Sequence, residues 1–203
     1  MTLRELLETI RALFTDQLRL QIESRQDDPA LHVIPEPTLR LANGAIVREG
    51  RLQLPMRIDL MTRSGQEVID SLEFTTDQMV GFDPIAVDWA EGYRVRIGPF
   101  QWENCPVVVR GVSPETDWRP LIGWFEKWFD EEEWRPPLEE DLQGVVHFLS
   151  DPQPGAGTAQ LKVDFGTVVT DAFEELLDAI EETGAREVCV GQVEETRNQK
   201  PET

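Results

Sequence analysis

The sequence predicts an α+β protein: an N-terminal helix, then a mainly antiparallel β-rich region, then a C-terminal helix-strand-strand-helix-strand layer. Three patterns predict this class. Apolar residues recur at helical spacing near the N-terminus, they alternate with polar residues in the middle, and two further helical patterns follow among short apolar runs. We therefore expect a helix plus β-rich region over residues 1–113, an α+β region over 114–193, and a flexible acidic and polar tail over 194–203.

The first helix has the clearest start signal. Thr2 and Glu5 have the spacing of a capping box, in which each side chain satisfies the exposed backbone amide of the other. The apolar residues that follow share one face of the helix: Leu3, Leu6, Leu7, Ile10, Leu13, Phe14 and Leu18. The opposite face is charged, so we expect a surface helix with one buried side.

The β-rich region is predicted from turn residues and alternation. Asn43-Gly44 is typical of a tight turn, and Ser64-Gly65 is expected to turn the chain into a hairpin. Between Leu52 and Leu60 every second residue is apolar, which predicts a half-buried strand whose other face, including Arg57 and Asp59, is solvated. Pro55 cannot donate a backbone hydrogen bond, so this strand is expected at an edge or a bulge.

The C-terminal part begins with a helix that Pro136-Pro137 ends. Its buried face is expected to contain Trp118, Leu121, Ile122, Phe125, Trp128 and Phe129. Strands are then predicted at Val145–Leu149 and Gln160–Phe165, a helix from Asp171, and a last strand from Arg186 to Val190.

The negative charge is unevenly distributed. The chain has a net charge of −20, and residues 1–65 contribute nothing to it, because nine basic and nine acidic side chains cancel there. The densest segment, 126–141, has eight carboxylates against Lys127 and Arg135. Such a surface repels nucleic acid and anionic lipid and attracts cationic partners. The alternative is an adaptation to salt or for solubility, in which the charge has no partner.

Side chains for catalysis or metal binding are sparse. The two histidines, His32 and His147, lie 115 positions apart, no zinc-ligand spacing occurs, and none of the five serines lies in a GxSxG motif. Cys105 and Cys189 have no partner motif and are expected to be reduced thiols. With no signal peptide or membrane span recognised, the sequence predicts a cytoplasmic protein with no cofactor, no metal and no catalytic residue.

The leading hypothesis is therefore a protein-interaction module, such as an adaptor, a chaperone or an inhibitor or immunity-type protein, that binds a basic partner. Trp124 falls off the predicted buried face of its helix, and Trp134 lies beyond the helix end. Exposed tryptophan beside acidic residues is typical of protein-binding hot spots. The expected partner-binding residues are Trp124, Glu131, Glu132, Glu133 and Trp134.

The sequence leaves two alternative functions open. One is an enzyme or small-ligand-binding protein with a pocket near His147, although a histidine between Val145 and Leu149 is more often a core residue. The other is a homo-oligomeric subunit in which the exposed aromatic side chains bury one another.

Overall fold

A computed structural model describes residues 1–28, 30–65, 67–138 and 142–193. The predicted tail at 194–203 and three members of the acidic segment, Glu139, Glu140 and Asp141, lie outside the described residues. The structure confirms the predicted fold class, with an N-terminal helix, largely antiparallel sheets and a C-terminal mixture of helices and strands.

Within these ranges the helices are α1 (Leu3–Gln26), α2 (Arg119–Phe129) and α3 (Asp171–Glu181). The strands are β1 (His32–Pro35), β2 (Arg48–Glu49), β3 (Leu54–Pro55), β4 (Leu60–Ser64), β5 (Glu67–Leu72), β6 (Ile85–Ala90), β7 (Tyr93–Ile97), β8 (Cys105–Arg110), β9 (Phe148–Leu149), β10 (Gln153–Gly155), β11 (Thr158–Asp164) and β12 (Glu187–Val190).

The largest sheet crosses the predicted boundary between residues 113 and 114. Its strand order is β10-β11-β8-β12-β7-β6, with β9 also paired to β11, so β6–β8 come from before the boundary and β9–β12 from after it. The last strand, β12, lies between β7 and β8, parallel to the first and antiparallel to the second. Three of its four residues are buried, as expected of an apolar strand in the middle of a sheet.

A smaller sheet of β1, β4 and β5 and the two-residue pair β2–β3 complete the strands of the described residues. The predicted hairpin at Ser64-Gly65 joins β4 to β5. The turn at Asn43-Gly44 is also confirmed, because Gly44 has a φ of 85° and donates its N–H to the carbonyl of Leu41 at 2.8 Å.

The N-terminal helix is the one that the sequence predicts. Both hydrogen bonds of the capping box between Thr2 and Glu5 are present, at 3.2 and 2.7 Å. Its apolar face joins a buried cluster that also contains residues of α2, α3 and the large sheet. None of the described helices is long and apolar enough to cross a bilayer.

The predicted continuous strand over Leu52–Leu60 is wrong, because only Leu54–Pro55 and Leu60 of this range lie in strands. Gln53 has a φ of 53°, and this left-handed conformation breaks the extended chain before β3. After the two residues of β3 and an isolated bridge between Thr38 and Arg57, the chain is in a strand again from Leu60, where β4 starts. Arg57 and Asp59, expected on a solvated face, are both buried. They tolerate burial because other parts of the chain supply hydrogen-bond partners for them.

The buried face of α2 is rotated relative to the prediction. The buried residues are Leu121, Trp124, Phe125 and Phe129, whereas Trp118, Ile122 and Trp128 are only partly buried at its margins. Trp124 is 4% exposed and donates its indole N–H to the carbonyl of Ala172 at 2.8 Å. The expectation that Trp124 is exposed is therefore wrong, because α3 begins directly beside it.

Candidate interaction surface and buried histidine cluster

The chain turns sharply at the C-terminal end of α2. Asp130 ends the helix in the left-handed conformation, with a φ of 52°, and Glu133 adopts the same conformation with a φ of 54°. The N–H of Glu133 donates to the carbonyl of Asp130 at 2.9 Å, and the Asp130 carboxylate accepts the N–H of Arg135 at 3.0 Å. These bonds fix the acidic turn, residues 130–135, in one conformation.

Two of the predicted partner-binding carboxylates have partners within the chain. Glu131 accepts from the Arg48 guanidinium at 2.5 and 2.6 Å. Glu133 accepts the backbone N–H of Thr38 at 3.2 Å and lies 3.7 Å from the buried Arg57 guanidinium. These contacts attach the turn to the segment before β4. Glu131 and Glu133 therefore stabilise the turn, and less of their charge is available to a partner.

Glu126 and Glu132 differ from Glu131 and Glu133 in having no hydrogen-bond or ion-pair partner within the described part of the chain. Both are exposed. With Glu131 they form the rim of a groove of about 290 Å³ whose floor is Pro55, Phe125 and Phe129. We call this the acidic groove. Carboxylates above an apolar floor suit a side chain with an aliphatic stem and a cationic end.

Trp134 is the exposed aromatic residue of this region. It is 83% exposed, the highest value among the large exposed hydrophobic residues after that of Met1. It lies in the acidic turn two positions after Glu132. An exposed indole close in sequence to carboxylates is typical of a binding anchor, because burying it against a partner removes a large apolar area from water.

His147 lies elsewhere, in a buried cluster of polar side chains. It is 1% exposed, and both ring nitrogens face carboxylates. Nε2 is 2.7 Å from Oε1 of Glu36, and Nδ1 is 3.0 Å from Oδ1 of Asp59 and 4.0 Å from Oδ2 of Asp164. The ring is thus held by acidic residues from three distant parts of the chain.

The carboxylates of the cluster are themselves oriented by hydrogen bonds. Glu36, which is fully buried, accepts from the Thr167 hydroxyl and the Gln143 N–H, both at 2.6 Å. Asp59 accepts the N–H of Phe74 at 2.8 Å through Oδ2. Asp164 accepts the N–H of Gly166 at 2.9 Å through Oδ1. Each aspartate therefore has one oxygen on a backbone amide and directs the other toward the imidazole.

Buried charge shifts the pKa values of this cluster. Burial by itself lowers the pKa of His147, but Asp164, Asp59 and Glu36 together raise it to about 10. Burial raises the pKa of Asp164 to about 7, with contributions from the charges of Asp59 and Glu103 and an opposing one from His147. Burial lowers the pKa of Arg57. Three carboxylates, those of Glu36, Asp59 and Asp164, thus face the single imidazole of the cluster.

Sequence patterns identify His147 as notable but do not find the acidic residues around it. Glu36 and Asp59 lie 111 and 88 positions away, and Asp164 ends β11, whereas His147 directly precedes β9. One local signal existed, because Asp59 is a charged residue that interrupts the apolar stretch Ile58–Leu60. That signal is weak, since alternation places such a residue on the solvated face as readily as in the core.

No protein-family model matches the chain, and the comparisons with curated proteins and with solved structures found no match.

Proposed function

We propose that this chain is a non-catalytic interaction protein that binds a basic protein partner through the acidic groove and Trp134. The observation that carries the proposal is the groove itself: exposed carboxylates at Glu126 and Glu132, without partners among the described residues, above an apolar floor. Trp134, which is 83% exposed, follows Glu132 by two positions in the chain. Trp124 has no part in this surface.

The two components of the surface would contribute differently to binding. An exposed ion pair contributes about 0–1 kcal/mol, so the carboxylates mainly supply orientation and a fast, salt-dependent association. Trp134 would supply the larger part of the affinity, because burying an indole removes a large apolar area from water. A partner with an arginine or lysine beside an apolar residue matches this arrangement.

We also propose that the protein does not bind nucleic acid or anionic membranes, and that it acts in the cytoplasm. A net charge of −20 opposes binding to nucleic acid and to anionic membranes. We place the protein in the cytoplasm, a location supported by the free thiols of Cys105 and Cys189, both of them buried.

The test uses a fluorescein-labelled peptide of alternating arginine and leucine residues and measures its anisotropy against protein concentration. Replacing Glu126 and Glu132 together by Gln is expected to weaken binding about fivefold to thirtyfold, the effect of losing about 1–2 kcal/mol. Trp134→Ala is expected to weaken it at least about thirtyfold. Affinity of the unmodified chain is expected to fall steeply as salt is added.

The control changes the net charge equally at two other exposed positions. Glu73→Gln combined with Glu115→Gln removes the same two negative charges away from the groove. This control is expected to bind as the unmodified chain does. Equal losses in the two double variants would mean that the peptide responds to overall charge, and the proposed site would be rejected.

A further inference from the structure

The buried histidine cluster has the donor atoms of a metal centre. The side chains of Asp59, His147 and Asp164 each offer one ligand atom, and these atoms lie within 4.8 Å of one another. Ligand atoms on one zinc ion, at bond lengths of about 2.0–2.2 Å, are about 3–4 Å apart. The distances from Nδ1 to Oδ1 of Asp59 and Oδ2 of Asp164 are 3.0 and 4.0 Å. The cluster therefore needs to contract by less than about 1 Å to hold an ion.

The other side of the imidazole is arranged as in a metal-binding histidine. Nε2 is 2.7 Å from the Glu36 carboxylate, which itself is fixed by Thr167 and by the Gln143 amide. With the Nε2 proton donated to Glu36, a metal ion that replaces the proton on Nδ1 would meet the Nδ1 lone pair between the two aspartates. Carboxylates commonly hold metal-binding histidines in this way, by fixing the tautomer and the ring orientation.

The balance of charge also favours a cation. Glu36, Asp59 and Asp164 surround one imidazole. The charge of Glu103 acts on Asp164, and Glu103 is 5% exposed with an Oε2 that has no hydrogen-bond partner among the described residues. The nearby Arg57 guanidinium donates to backbone carbonyls instead of to these carboxylates. Buried carboxylates in excess are costly unless protons or a metal ion compensate them.

We propose that Asp59, His147 and Asp164 bind a divalent first-row transition-metal ion, Zn²⁺ or one of similar ligand preference, with Glu36 as the positioning residue. Imidazole favours such ions over Ca²⁺ and Mg²⁺, which take oxygen ligands in larger number. Asp164 gives access from outside, because its side chain is 21% exposed while those of His147 and Asp59 are almost fully buried. The site is independent of the acidic groove.

The test titrates the full chain, first freed of metal with a chelator, with Zn²⁺ by calorimetry. One ion per chain is expected to bind, and saturating Zn²⁺ is expected to raise the melting temperature. Co²⁺ in place of Zn²⁺ is expected to give visible absorption bands that report nitrogen and oxygen ligands. Ca²⁺ is expected to bind at least about a hundredfold more weakly, because three ligands are too few for it.

Variants separate this site from the acidic surface. Asp164→Asn replaces the most accessible ligand at constant size, and Glu36→Gln keeps an acceptor for Nε2. Each is expected to weaken Zn²⁺ binding at least about tenfold. Glu132→Gln is expected to leave it unchanged. Zn²⁺ binding that survives Asp164→Asn, Ca²⁺ binding of equal strength, or no Zn²⁺ binding by the folded chain would each overturn the proposal.

Discussion

At the scale of single residues, Trp124 and Trp134 show how position decides the role of a side chain. They lie ten positions apart in the same acidic, aromatic segment. Trp124 packs in the core with its indole N–H on the Ala172 carbonyl, whereas Trp134 lies almost entirely in solvent. The first therefore contributes to stability, and the second is free to contribute to binding.

Substitution of the two tryptophans by alanine is expected to have opposite consequences. Trp124→Ala leaves a cavity and should lower the free energy of unfolding by about 3–5 kcal/mol. Trp134→Ala removes a side chain that packs against little and should change it by less than about 0.5 kcal/mol. Urea denaturation followed by circular dichroism measures both. A large loss of stability in Trp134→Ala would contradict the assignment of this residue to a binding surface.

Gly166 is the residue that lets the chain pass closely beside His147. Its φ is 53°, and a β-carbon at this position would lie 2.3 Å from Cδ2 of the imidazole and 2.5 Å from the carbonyl oxygen of Val145. Glycine is therefore required here both for backbone conformation and for space.

Gly166→Ala is expected to lower the free energy of unfolding by about 2–4 kcal/mol, since it combines left-handed strain with overpacking. Gly157→Ala is the matched control, because Gly157 has a φ of 67° and open space around the position of a β-carbon. It should cost only the backbone strain of about 1–2 kcal/mol. Equal losses in the two variants, measured by urea denaturation, would contradict the close approach to His147.

At the scale of elements, Arg57 joins the end of α2 to the segment that precedes β4. Its guanidinium donates four hydrogen bonds, two to the carbonyl of Phe129 and one each to those of Asp130 and Glu36. The carbonyls at the end of a helix have no partner within the helix, so Arg57 satisfies groups that the turn would otherwise leave buried and unpaired.

Arg57→Ala is expected to lower the free energy of unfolding by about 3–5 kcal/mol, because it leaves buried carbonyls without donors. Arg94 provides the comparison, because its exposed side chain on β7 pairs at 3.1 Å with the exposed side chain of Asp88 on β6. Arg94→Ala should cost about 0–1 kcal/mol. Thermal or urea denaturation distinguishes the two. Similar small losses in both variants would show that Arg57 does not hold the turn in place.

The region around Arg57 shows which structural features the sequence predicts and which it does not. The three helices were predictable, because a period of 3.6 residues and a capping box are local signals. Arg57 and Asp59 were not, because alternation gives the face on which a residue lies without showing whether a distant segment covers that face. The partners that make their burial tolerable lie 72 and 88 positions away, at Phe129 and His147.

The candidate sites also combine features that the sequence predicts with features that it does not. Composition and charge located the acidic segment, and Trp134 is exposed as predicted. The internal pairing of Glu131 with Arg48 and of Glu133 with Thr38 could not be predicted, because these contacts depend on how the region before β4 folds over the end of α2. The acidic cluster around His147 was missed for the same reason.

At the scale of the whole molecule, the question is whether the charge of −20 acts generally or at one place. A surface with this charge attracts any polycation through long-range fields. A specific site differs in that contacts concentrate where unpaired carboxylates, an apolar floor and an exposed indole coincide. On the described surface, unpaired carboxylates and an apolar floor coincide at the acidic groove, and the exposed Trp134 follows Glu132 by two positions in the chain.

The most direct measurement is therefore an amide chemical-shift map of the ¹⁵N-labelled chain during titration with the arginine–leucine peptide. The titration is made at a salt concentration that screens the long-range attraction between exposed charges. We expect the largest chemical-shift changes within residues 126–135 and at the neighbours of Pro55. We also expect a shift of the Trp134 indole N–H. Shifts spread evenly over the acidic residues of the chain, or centred away from the acidic groove, would contradict the proposed function.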